Sequence, residues 1–149
     1  MAPFFLDTNV FLYAAGADHP HRESCQRVLE RVAEGSLSAV TSAEVVQEIL
    51  YVLSRRGLRS EGLRLAASVL ALFPELLPVR RAEIAEALLL LDRYPTLNPR
   101  DAVHGATVRV NRLAGIVTAD RHFERIEGVT PLAPSQVLAT EPGPGPAPA

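Results

Sequence analysis

Lysine and tryptophan are absent from this 149-residue chain, cysteine and methionine occur once each, and aromatic residues make up only 5%. The lone Cys25 excludes an internal disulfide, and no His/Cys grouping has the spacing of a zinc site, so a reducing cytoplasm is the expected location. Long apolar runs are also missing. Segments such as Ala87–Leu91 are far too short to span a bilayer, and no membrane association is expected. The N-terminal segment carries neither a basic stretch nor a small-residue cleavage site, which argues against a secretory signal. A glycine-rich turn after the first strand, required by a dinucleotide-binding module, is absent too, because DTNVFLYA stands in that place.

With lysine absent, all 15 basic residues are arginine. Base composition is one explanation; selection for guanidinium groups that grip phosphate is another. The net charge of −2 does not exclude nucleic acid as a partner, provided that the arginines cluster and metal ions neutralise carboxylates.

What is present is 48% apolar and 21% charged residues, the profile of a single globular domain long enough to bury a core. Hydrophobic patterning predicts short buried strands at Pro3–Leu6, Leu37–Val40, Leu76–Val79 and Ile116–Thr118, with an edge strand at Val129–Leu132. Helical patterns separate them: Val10–Ala15, His19–Glu34, Thr41–Arg56, Ser60–Phe73, Arg81–Tyr94 and Pro99 to about Leu113, with a short turn after Asp120. Strands alternating with helices predict an α/β fold with a short, mainly parallel sheet flanked by helices on both faces. The domain is expected over residues 1–139, and residues 140–149, ending in EPGPGPAPA, are expected to be disordered.

In such sheets, sites form beyond the carboxyl ends of strands. Asp7 in FFLDTN and Asp120 in GIVTAD both stand there, and each can be read as a helix cap or as a metal ligand. Thr8 and Asn9 are placed to hydrogen-bond Asp7 or a substrate. On the helix after Thr41, an apolar stripe runs through Val45, Val46, Ile49, Leu50, Val52 and Leu53, and Glu48 falls at its edge. A carboxylate there is costly unless it is paired or bound to a cation, which favours Glu48 over Glu44, an acid in the first helical turn. Asp101 lies off the stripe of Ala102, Ala106, Val110 and Leu113, so periodicity alone reads it as a first-turn acid.

Taken together, LDTNV, SAEVVQEILYVL, NPRDAVHGATV and GIVTADRHFERI resemble the four acidic motifs of PIN-domain nucleases, in particular VapC-type toxins of toxin–antitoxin pairs. The resemblance spans residues 4 to 132. It implies a PIN-like α/β/α sandwich in which Asp7, Glu48, Asp101 and Asp120 hold Mg²⁺ or Mn²⁺, with Asn9 and Thr118 in support. Where many relatives place an Asp four residues after the last motif carboxylate, this chain has Glu124. The implied activity is metal-dependent hydrolysis of RNA that leaves a 5′-phosphate and a 3′-hydroxyl. The implied partners are an RNA substrate, a VapB-like antitoxin and a second copy of the chain.

Hard oxygen ligands suit these cations, which retain water and bind phosphate oxygens. Arg100 and Arg121 adjoin motif carboxylates, and Arg55 and Arg56 end a helix; RNA contact and simple charge complementarity are both open for them. His104 and His122, as single residues, are expected to be structural or exposed, with phosphate orientation as the alternative. His19 and His21 flank a loop proline. FFLDTNV also resembles the first motif of haloacid-dehalogenase-type phosphatases, but those enzymes need a second Asp where Asn9 stands. An RNA-processing nuclease without an antitoxin, and a non-catalytic binding module, are the remaining alternatives.

Overall fold

The computed structural model describes residues 2–140; the tail expected to be disordered lies, but for its first residue, outside them. Four strands form one all-parallel sheet in the order β2–β1–β3–β4: β1 (Phe4–Leu6), β2 (Ala39–Val40), β3 (Gly115–Val117) and β4 (Pro131–Leu132). Parallel strands are normally buried and read as continuous apolar runs, which describes FFL and GIV. Around the sheet stand α1 (Thr8–Ala15), α2 (Arg22–Ala33), α3 (Ala43–Arg55), α4 (Arg59–Leu72), α5 (Arg81–Arg93), α6 (Pro99–Val110) and α7 (Pro134–Leu138). The chief pairings are α1 with α2 and α3, α3 with α4, α5 with α6, and α2 with α7. None of the described helices is long and apolar enough to cross a membrane.

Register positions the site. Leu6 pairs with Val117 and Phe5 with Val40, so the central strand β1 and both its neighbours end at nearly the same level. The residues that follow, Asp7, Thr118 and Thr41, therefore sit side by side at the carboxyl edge. Thr41 Oγ1 donates to the Leu6 carbonyl at 3.0 Å, and the Asp7 amide donates to the Val117 carbonyl at 3.0 Å. Beneath this edge Phe5, Leu6, Val10, Phe11, Ile49, Ile116 and Val117 are fully or almost fully buried and make the core.

Several expectations are corrected. Leu76–Val79 is not a strand: only Leu77 bridges to Ser42, because the partner chain turns into α3 at Ala43 directly after that bridge. Helix α6 ends at Val110, three residues early, where Asn111 caps it and Arg112 takes a left-handed φ of 51°. Helix α2 starts at Arg22 after a turn through His19–Pro20–His21. The edge strand shrinks to two residues, and the turn after Asp120 is a 3-10 helix, Arg121–Arg125. Helix α7 was not anticipated.

Gly115 shows how tightly the β3–β4 pair is closed, since a Cβ there would lie 2.5 Å from the Thr130 carbonyl oxygen. Backbone cannot retreat as a side chain can. Gly115→Ala is expected to cost about 1–3 kcal/mol, read as a melting temperature lower by roughly 2–4 °C per kcal/mol; an unchanged melting temperature would contradict this close approach.

Candidate active site

Asp7 leaves β1 and caps α1, accepting the Thr8 amide on Oδ1 at 2.8 Å. Its other oxygen accepts the Thr118 hydroxyl at 2.7 Å. Thr118 Oγ1 in turn accepts Asn9 Nδ2 at 3.0 Å and the Asp120 amide at 2.9 Å, while Asn9 Oδ1 accepts the Ala119 amide at 3.2 Å. Thus the strand ends of β1 and β3 are joined by one side-chain network, and Asp7 is at once the cap of α1 and a buried carboxylate.

Helix α3 brings up Glu48 from the stripe's edge, with its side chain only 14% exposed. The Thr8 hydroxyl and His104 Nε2 both donate to Glu48 Oε2, the latter at 3.0 Å. His104 Nε2 also lies 3.9 Å from Asp7 Oδ1, and the ring packs 5.7 Å from that of Phe5. Asp7, Glu48 and His104 can bring ligand atoms within 4.8 Å of one another.

Helix α6 supplies Asp101. Asn98 is its N-cap, accepting the Asp101 amide at 2.9 Å and donating Nδ2 to Asp101 Oδ2 at 2.7 Å. Asp101 is a first-turn acid, as periodicity reads it, but although it lies off the predicted apolar stripe it is buried. Residues from Asp101 to Val108 are nearly all buried, because α6 lies between α5 and the sheet and has no single apolar face. Asp101, Asp120 and His122 form a second group with ligand atoms within 4.8 Å; His122 Nδ1 is 3.2 Å from Asp120 Oδ1 and 3.7 Å from Asp101 Oδ2.

The electrostatics follow from burial and like charge. Burial raises the Asp7 pKa to about 6, opposed by His104 and the two hydrogen bonds and reinforced by Asp101. Burial, and then the neighbouring Asp120 charge, raises Asp101. Burial also works to raise Glu48, yet the hydrogen bonds from His104 and Thr8 and the charges of His104 and Arg100 prevail, and its pKa falls. For His104, burial opposes the charged ring and Nδ1 lies buried with no hydrogen-bond partner among the described residues, but Glu48, Asp7 and Asp101 together outweigh this and raise its pKa.

The remaining predicted residues divide. Arg100 Nη1 is 3.7 Å from Glu48 Oε1, and its guanidinium stacks 4.5 Å above Tyr51, whose ring and hydroxyl Arg55 also meets. Arg56 caps the end of α3 in solvent. Arg121 and Glu124 are exposed on the 3-10 turn and line two clefts that it separates. One, of about 630 Å³, includes Asp101, Tyr94, Leu97 and Ile126; the other, of about 470 Å³, includes Asp120, Thr118 and His21. Glu124 belongs to neither ligand group. His104 is the residue that sequence reasoning undervalued. Its signal was its spacing: three residues after Asp101 on a helix, it shares that residue's face.

A PIN domain model matches residues 4–129. The chain belongs to the PIN-domain family. This PIN domain is 36% identical over 131 residues to the ribonuclease VapC13 of Mycobacterium tuberculosis, covering 86% of this chain and 98% of that protein. It is 39% identical over 116 residues to the ribonuclease VapC23 of the same organism, covering 78% and 91%. Its fold matches VapBC2 from Rickettsia felis bound to a promoter DNA fragment, with a TM-score of 0.69 at 18% identity over 87% of this chain and 97% of that one. M. tuberculosis VapC20, described as a sarcin–ricin loop cleaving toxin, gives 0.69 at 19% identity over 81% and 92%.

The raised groups of this PIN domain set a pH dependence. Asp7, Asp101 and His104 each contribute stability that is present below their unfolded pKa values and lost as pH rises through the folded ones; Glu48 acts oppositely, but only near and below its ordinary 4.5. In EDTA, urea-unfolding stability is therefore expected to fall between pH 5 and 7.5, with Asp7 alone supplying on the order of 1–2 kcal/mol of the loss. A flat or rising profile across that window would show that the charges are not buried in this way.

Proposed function

We propose that this chain is a metal-dependent endoribonuclease, the toxin of a VapBC-type pair, and that Asp7, Glu48, Asp101 and Asp120 hold Mg²⁺ or Mn²⁺. The observation that carries the reading is the gathering of four carboxylates, in two adjoining groups, at the carboxyl edge of the sheet, with the pKa values of Asp7 and Asp101 raised chiefly by burial. The donor set fits such an ion: carboxylate oxygens predominate, and in the Glu48 and Asp101 pairs one oxygen is tied by hydrogen bonds, so that the other can be offered to a cation. The bound cation would lower the pKa of water and stabilise the leaving oxygen in an in-line phosphodiester displacement.

The protein's own groups set the geometry. Thr118 and the Thr8 amide orient Asp7; His104 and Thr8 orient Glu48; Asn98 orients Asp101. Water oxygen bonds to phosphorus, the P–O3′ bond breaks, and the departing O3′ takes up a proton, leaving a 5′-phosphate and a 3′-hydroxyl. No side-chain nucleophile is needed. Arg100 and Arg121 flank the acidic centre and provide cations for the RNA backbone. A cognate VapB-like antitoxin would restrain the enzyme. Exposed Leu63, Leu70, Ile84, Leu88 and Leu89 on α4 and α5 form apolar surface suited to that partner or to a homodimer.

Incubation with structured RNAs is expected to give cleavage with Mg²⁺ or Mn²⁺, none in EDTA, and none from Asp7→Asn; cleavage that persists in Asp7→Asn would sink the metal-site assignment. His104→Gln is expected to retain the fold and lower metal affinity or activity by about 10- to 100-fold, the usual range for a partner that orients a ligand. Titration of Mn²⁺ by calorimetry checks this independently of turnover, and unaltered binding and activity would remove His104 from the site.

A further inference from the structure

Three rings stand together where the core does not need them. Tyr13, near the end of α1, stacks on His19 with centroids 4.1 Å apart and planes 17° from parallel. His21 leans on both, 5.7 Å from Tyr13 and 5.4 Å from His19. In a chain this poor in aromatics, the position is unusual: His19 is exposed, and Tyr13 and His21 are half-buried. The stack is held in advance. The His21 amide donates to His19 Nδ1 at 3.2 Å, Pro20 restricts the turn, and Arg22 pairs with Asp18 at 3.0 Å.

The group also has a direction, because His21 lines the cleft of about 470 Å³ that contains Thr118, Asp120 and Arg121. From the acidic centre this cleft leads past Arg121 to His21, the ring of the three that lines it, and His19 stands next to His21. Nucleobases present a π-face whatever their identity and stack on exposed aromatic side chains, and a stack already ordered loses little entropy on binding.

We propose that Tyr13, His19 and His21 form a stacking platform for a base of single-stranded RNA that leaves the acidic centre through this cleft, with His19 presenting the outer ring. The inference rests on the nuclease reading, since it takes RNA as the ligand. It adds a binding subsite outside the carboxylate motifs, and it places part of the selection for an unpaired strand on the turn before α2.

The test uses the full chain and a single-stranded RNA oligonucleotide carrying 2-aminopurine, with Ca²⁺ in place of Mg²⁺ to limit turnover. Stacking quenches the analogue. Wild type is expected to bind and quench; His19→Gln, which keeps hydrogen-bonding capacity but lacks an aromatic ring, should bind about tenfold more weakly and lose the quenching. His19→Phe should restore both. In Mg²⁺ the loss in His19→Gln should fall mainly on KM. Wild-type affinity and quenching in His19→Gln, or failure of His19→Phe to restore them, would overturn the platform. The two readings separate cleanly: cleavage by wild type with an unaffected His19→Gln removes only the platform, whereas wild type that neither binds nor cleaves RNA removes the nuclease reading and the platform with it.

Discussion

The buried carboxylate of Asp7 governs what surrounds it. A charge placed at the end of the central strand, with Asp101 close enough to be felt, must be met by donors or by a cation. The fold answers with donors on every side: the Thr8 amide, the Thr118 hydroxyl and, at longer range, the His104 ring. These residues come from α1, the end of β3 and α6, so solvating a single carboxylate ties three elements to the carboxyl edge of the sheet. Even so, the donors leave the Asp7 pKa raised to about 6. The arrangement is incompletely compensated by the protein's own donors, at a cost in stability.

His104 explains how the site tolerates this. It sits between two carboxylates from different elements, donates to Glu48, and is the most deeply buried basic side chain of the cluster. Arg100, the other positive group at Glu48, is partly solvated and anchored on Tyr51. The two differ in consequence. A buried imidazole hydrogen-bonded to a carboxylate fixes that carboxylate's geometry, while an arginine at the rim keeps part of its guanidinium in solvent and contributes a screened charge.

Much of this was legible from residue order. LDTN and TADR lie directly after apolar strands, and helix geometry separated Glu48 from Glu44 without any structure. What periodicity misjudged was α6. An apolar stripe identifies a buried face only when the opposite face meets solvent, and α6 is covered by α5 on one side and by the sheet on the other, so Asp101 read from periodicity only as a first-turn acid and His104 as structural or exposed, while both are enclosed beside Glu48 and Asp120. Leu76–Val79 failed for a reason outside itself: its composition suits a strand, yet the chain it bridges leaves for α3 directly after Ser42. Partnerships such as His104 with Glu48, 56 residues apart, depend on how α3 and α6 approach each other, which no local pattern encodes.

The same reasoning accounts for the two-sided shape of the site. The 3-10 turn after Asp120 is short because the Asp120 side chain accepts the His122 amide and Phe123 drives into the core, which pins the segment as a ridge. Asp101 then opens to a cleft floored by Tyr94, Leu97 and Ile126, and Asp120 to one bordered by His21, Ser135 and Gln136. The ridge therefore divides a more apolar cleft from a more polar one. The site thus presents chemically unequal surfaces on the two sides of its carboxylates, a difference that belongs to the cleft linings and not to the carboxylates themselves.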